Sequence, residues 1–143
     1  MGIRYFIRRL TPSESPSELA YRRSWLLVAW LMVAFVVWAS LVPQPPQPPE
    51  FLDWDKAQHF AAYAVLTYWF GSILGPTVLC PVLLACMGIG LEYLQDLGGV
   101  RVMDAFDMLA NALGAFAGSA LAATRVGRFL IRVDGLIARI LGP

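Results

Sequence analysis

Three short polar clusters interrupt an otherwise apolar chain of 143 residues. The first is Asp55, Lys56, His59 and Tyr63, the second Glu92, Gln95 and Asp96, the third Arg101, Asp104, Asp107 and Asn111. Lys56, His59 and Tyr63 fall at i, i+3 and i+7, as do Asp104, Asp107 and Asn111, so on a helix each set shares one face. These residue types admit three kinds of chemistry. Lys56 and Arg101 could grip an anionic head group, with His59, Tyr63, Gln95 and Asn111 as hydrogen-bonding neighbours. His59, the one histidine in the chain, could join Glu92, Asp104 and Asp107 in holding a divalent cation through nitrogen and oxygen ligands. Such a site could activate water against a phosphate or ester bond; without metal, His59 and Asp107 could serve as base and orienter. Acids within a membrane also mark transport paths and proton relays.

These readings meet two restraints. Asp55, Glu92, Asp96, Asp104 and Asp107 outnumber Lys56 and Arg101, so a bare phosphate meets repulsion unless a metal intervenes or carboxyls are protonated. No HExxH, CxxC, nucleophile motif or phosphate-cradling glycine loop occurs, which puts binding ahead of catalysis; no cofactor is expected, with a divalent metal the one ion the residues admit. A purely structural role stands beside each functional one. Asp55 and Asp104 suit helix N-termini. Glu92 and Asp96 end a helix, where negative charge is disfavoured, and need partners; Glu92–Arg101 and Glu92–Lys56 pairs are the candidates.

The elements that must position these groups are membrane spans. Hydrophobic residues make up 58% of the chain and charged residues 15%, against roughly 45–50% and 25% in a soluble domain, and the mean hydropathy is +0.60. A small domain cannot bury so much apolar surface. Residues 25–42, 57–74, 76–95 and 105–123 each approach the roughly 20 apolar residues that cross a bilayer as a helix. The first is too long for the core of a cleaved signal peptide and is read as an anchor. At about 1.5 Å per residue, His59, Glu92 and Asp107 each sit about 5 Å inside one end of a span, and Tyr63 and Asn111 about 10 Å inside. The opposite halves of the spans offer only weak groups such as Thr67 and Thr77, which weakens the transport reading. Cys80 and Cys86 lie too far round a helix for a disulfide and are read as apolar filler.

Charge placement sets the expected orientation. Ten of the eleven basic residues are arginine, and nine basic residues lie in the two terminal segments, before the first span and after the fourth, against three acids (Glu14, Glu18, Asp134), net +6. The other side has two basic residues against seven acids, net −5. Four spans with both termini cytoplasmic satisfy this pattern. The chain divides into an arm at 1–24, a membrane domain at 25–123 and a tail at 124–143. Residues 43–49, PQPPQPP, are a stiff polyproline spacer on the outer side, leading to interfacial Phe51, Leu52 and Trp54. From Arg125 to Leu141 the apolar residues keep a helical rhythm with Arg125, Arg128, Arg132 and Arg139 on the opposite face, as in a helix lying on an anionic leaflet. The expected fold is all-α: a four-helix transmembrane bundle with a basic amphipathic interfacial helix at its C-terminus.

In the fourth span Ala110, Gly114, Gly118 and Ala122 place a small residue at every fourth position, for close helix packing. The set Asp55-Lys56-x-x-His59-Phe60-x-x-Tyr63, Glu92-x-x-Gln95 and Arg101-x-x-Asp104-x-x-Asp107-x-x-x-Asn111-x-x-Gly114-x-x-x-Gly118 resembles the VanZ-like family of small bacterial membrane proteins over residues 25–123. That resemblance implies a bacterial inner-membrane location, a role in the cell envelope, and a link to teicoplanin resistance. It leaves the reaction open. An outer polar pocket for a lipid head group, a lipid-linked cell-wall intermediate or a glycopeptide is the leading expectation. A metal-dependent or acid/base hydrolase or transferase acting on an envelope lipid comes second, and a small transporter or proton relay third. Lys56, His59, Tyr63, Glu92, Gln95, Arg101, Asp104, Asp107 and Asn111 are the expected pocket, with His59, Glu92 and Asp107 the candidates for any catalysis. Nucleic acid is not an expected partner, and the oligomeric state is not legible.

Overall fold

The computed structural model describes residues 19–43, 54–75, 77–99 and 101–142. Most of the arm at 1–24, all but Pro43 of the proline spacer, and interfacial Phe51 and Leu52 lie outside them. Every regular element among the described residues is helical: α1 (Arg22–Leu41), α2 (Asp55–Leu74), α3 (Leu79–Leu97), α4 (Ala105–Ala122), a 3₁₀ turn (Arg125–Arg128) and α5 (Phe129–Leu141). Three of these, α1, α3 and α4, are long and apolar enough to cross a membrane, the mark of a membrane protein. Their outward faces are apolar: Trp30, Leu31 and Phe35 on α1, Leu83 and Leu94 on α3, and Leu113 and Phe116 on α4 are all exposed. A surface of that kind calls for lipid or partner protein, not water.

The second expected span differs. Helix α2 is 20 residues long but falls short of the hydropathy the other three reach. Its polar first turn (Asp55, Lys56, Gln58, His59) and its later Tyr63, Thr67, Tyr68 and Ser72 account for this. Its position explains why the composition is tolerated. Helix α2 is the centre of the bundle, with Tyr63, Leu66, Thr67, Phe70, Gly71, Ser72 and Ile73 all buried, and its most extensive packing is against α4. Side chains packed between helices need not be apolar.

The α2–α4 contact is set by glycine. A Cβ on Gly114 would land on the Phe60 carbonyl, one on Gly118 on the Ala64 carbonyl, and one on Gly71 within 2.7 Å of Ala122. With no side chain in the way, the two backbones come into direct contact. Helix α1 is joined more loosely, through Trp25 edge-on to Trp69 at 5.9 Å, Trp30 edge-on to Phe70 at 5.6 Å, and the Trp69 indole N–H donating to the Trp25 carbonyl at 3.3 Å.

The helices run alternately up and down. One end gathers the start of α2, the end of α3 and the start of α4; the Gln95 amide donates to the Ser40 carbonyl at 2.8 Å, which brings the end of α1 there too. The other end carries the tail. The sequence pattern predicts a single helix from Arg125, but the structure breaks it. Thr124 caps a 3₁₀ turn by accepting the Val126 N–H at 3.2 Å, and Gly127 lies so close to Ala122 that a Cβ would land on its carbonyl. Helix α5 then starts at Phe129. It turns Leu130 and Asp134 inward and leaves Phe129, Leu136, Ile140, Arg132 and Arg139 exposed. Similarly, α3 starts at Leu79, not at 76.

Candidate functional site

The three polar clusters meet at one end of the bundle. Asp107, on the first turn of α4, is 1% exposed and lies at the centre. The Lys56 ammonium contacts its Oδ1. Its Oδ2 stands 3.4 Å from Arg101 and 3.5 Å from His59 Nε2. Lys56 also reaches Asp104 at 2.5 Å and Asp55 at 3.7 Å. Arg101 bonds to Asp55 at 2.6 Å. The His59 ring spans the cluster, with Nδ1 3.1 Å from Asn111 Oδ1 and 4.0 Å from Glu92, and Nε2 3.8 Å from Asp55.

Local structure explains how four carboxylates come to lie together. Asp104 is the N-cap of α4, its Oδ1 accepting the Phe106 N–H at 2.8 Å. The acids at the end of α3 need cationic partners less than the sequence suggests. Glu92 Oε2 accepts the Asp104 backbone N–H at 3.3 Å, and Asp96 accepts that of Met103 at 3.3 Å. They fasten the loop that leads into α4, with Gly99 at φ +64° making the turn. Neither expected pair, Glu92–Arg101 or Glu92–Lys56, forms: Lys56 and Arg101 are held by the aspartates.

Charge fixes two of these groups outside the apolar spans. The Lys56 hydrogen bond holds the Asp104 carboxyl below its ordinary range. The hydrogen bond to Asp55 pushes the Arg101 guanidinium above its already high value, so both stay ionised through the physiological range.

The other expected residues take separate places. Asn111 is buried against His59, one turn from the Gly114–Phe60 contact that brings α4 so close. Tyr63 is buried and stands beside Gly88, where a Cβ would lie 3.0 Å from its ring and 2.9 Å from Asn111. Gly88 escaped the sequence reading; its only signal is the paired glycine of Gly88-Ile89-Gly90 in an apolar helix. Gln95 is 3% exposed and occupied with the end of α1. Ala110, Gly114, Gly118 and Ala122 are all buried along α4.

A groove of about 750 Å³ runs between α1 and α2 and ends at this cluster. Its length is apolar, walled by Leu31, Phe35 and Val36 from α1 and Ala62 and Leu66 from α2. Its end is polar, with Asp55, His59, Gln95 and Arg101. Beyond Asn111, the buried polar side chains of the described interior are Thr67, Ser72 and, at the far end, Asp134. Comparisons with protein-family models, with curated proteins and with solved structures return no match.

Proposed function

We propose that this chain is a four-span, VanZ-like protein of the bacterial inner membrane, with both ends in the cytoplasm. In this reading its outward polar cluster binds the head group of an amphipathic envelope lipid whose chain lies between α1 and α2. The observation that carries it is the groove of about 750 Å³, apolar along its walls and charged at one end. An amphiphile matches that gradient; a wholly polar solute does not. Helix α2 serves as the fourth span because its polar face is covered by α4. The arginines of α5 and of the start of α1 then lie on the cytoplasmic side, which agrees with the positive-inside rule, and exposed Phe129, Leu136 and Ile140 enter the inner leaflet beside them.

The test is lipid retention. The full chain is purified from its membranes in mild detergent, and the lipids that stay bound are identified by mass spectrometry. The wild type should retain one class of amphiphile. Ala62→Trp, which fills the groove, and Arg101→Ala, which removes a charge from its polar end, should both lose it. Retention of the bulk membrane lipids alike by all three proteins would overturn the reading. A hydrolase or transferase acting on the same lipid is the second reading, favoured by the convergence of Asp55, His59 and Asp107. Turnover of the retained lipid by the wild type, lost in His59→Ala, would promote it.

A further inference from the structure

We infer that Asp55, His59 and Asp107 form a site for one divalent transition-metal ion, of the zinc class. Two independent features of the structure ask for a cation there. The first is the direction of the imidazole. His59 Nδ1 faces the side-chain oxygen of Asn111 at 3.1 Å. That oxygen is an acceptor, so Nδ1 carries the hydrogen, and a neutral ring then presents an unshared pair at Nε2. Nε2 looks at two more acceptors, Asp107 Oδ2 at 3.5 Å and Asp55 Oδ1 at 3.8 Å. One ligand atom from each of the three side chains lies within 4.8 Å of the others, with Arg101 beside Asp107 Oδ2 at 3.4 Å as the nearby donor. Asn111 supplies what a metal-bound histidine normally has, a partner for the other ring nitrogen that fixes tautomer and orientation.

The second feature is charge. Asp55, Glu92, Asp104 and Asp107 bring four negative charges to the cluster, and Lys56 and Arg101 bring two positive ones. Carboxylates outnumber cations there, in a place where Asp107 has almost no contact with solvent. A divalent cation makes up that difference.

One nitrogen and two carboxylate oxygens favour zinc, or a neighbour such as manganese or cobalt, over the oxygen-seeking magnesium and calcium. Bound at about 2.0–2.2 Å, the ion would draw the three side chains slightly inward. Asp55 is more than a third exposed on its side chain and can make that movement. The remaining coordination positions would face the polar end of the groove, where phosphate oxygens of a lipid head group can enter. In that last respect the inference rests on the lipid-binding reading; the ion itself does not.

The experiment uses the metal alone. The full chain in detergent is stripped with chelator, and zinc and manganese are titrated in, followed by calorimetry and thermal unfolding. One ion per chain should bind and raise the melting temperature. Asp55→Asn, at the rim where folding is not at risk, should weaken binding by at least about tenfold, and Asn111→Ala by about 10–100-fold. Asp96→Asn, an acid outside the cluster, should bind as the wild type does. Failure of the folded wild type to take up either ion would overturn the inference. So would equal affinity in Asp55→Asn, or a nitrogen NMR spectrum with both His59 ring nitrogens protonated in the presence of metal. Ion binding that survives while no lipid is retained would sink the lipid reading alone; lipid retention without ion uptake would sink this one alone.

Discussion

The molecule buries an aspartate at each end, and the two are held in opposite ways. Asp134 on α5 is 2% exposed and Asp107 on α4 is 1% exposed. Asp134 accepts three neutral donors: the backbone N–H of Ala20 at 2.6 Å, that of Tyr21 at 3.0 Å and the Trp25 indole at 2.7 Å. Ala20 and Tyr21 lead into α1, so a side chain more than a hundred residues away satisfies N–H groups at that helix start. The Tyr21 hydroxyl adds a bond to the Gly142 carbonyl, fastening the tail to α1. Asp107, by contrast, is ringed by charged side chains, each with another partner. Lys56 also has Asp104 and Asp55; Arg101 also has Asp55. Fixed neutral donors fasten Asp134 as a joint, whereas the cations around Asp107 each have another carboxylate to turn to, which is what the proposed ligand site requires.

Substitution at these two positions should separate the roles. Asp134→Ala leaves three donors without an acceptor and should cost about 3 kcal/mol or more, read as a fall in the unfolding midpoint, with ion uptake at the other end intact. Next comes the glycine ridge. Gly118→Ala forces a methyl onto the Ala64 carbonyl and should cost about 1–3 kcal/mol through helix separation; a loss as small as that of a surface substitution would mean the α2–α4 approach is not as close as described. Asp107→Asn should cost within about 1 kcal/mol, because each cation keeps another carboxylate, yet it should abolish ion and lipid binding. If Asp107→Asn unfolds the protein as readily as Asp134→Ala, the contrast fails and Asp107 is structural. The smallest effect belongs to Asp104. Its carboxyl is held below the ordinary value of 3.8 by Lys56. Its contribution is therefore complete above that value and disappears as the pH falls through the lowered one. Asp104→Asn should lower stability slightly and evenly at neutral pH, where the contribution is complete, and match the wild type once the pH falls below the lowered value, so the acid limb flattens.

The long apolar helices were legible in the sequence because uninterrupted apolar length reports them directly: α1 and α4 end within a few residues of where composition alone places them. Helix α2 was legible as a helix, but its central place was not, since nothing local to residues 57–74 says that Tyr63, Thr67 and Ser72 are buried. The facing polar residues were visible from their spacing. Their partners were not. Glu92 and Asp96 turn to backbone N–H groups of a loop whose path no periodicity encodes, so the ion pairs expected from charge alone do not form. Asp134 passed in the sequence for one acid among cytoplasmic arginines, because a contact across more than a hundred residues leaves no local signature.

The sequence by itself determined an all-helical, lipid-compatible chain with ionisable residues gathered at matching depths, because helical period and hydropathy are local properties. Only the tertiary structure decided which carboxylate faces which cation, where a groove opens, and which buried acid is held by neutral donors and which by charged ones. Those depend on helix backbones meeting at Gly114 and Gly118, and on donors brought together from distant parts of the chain.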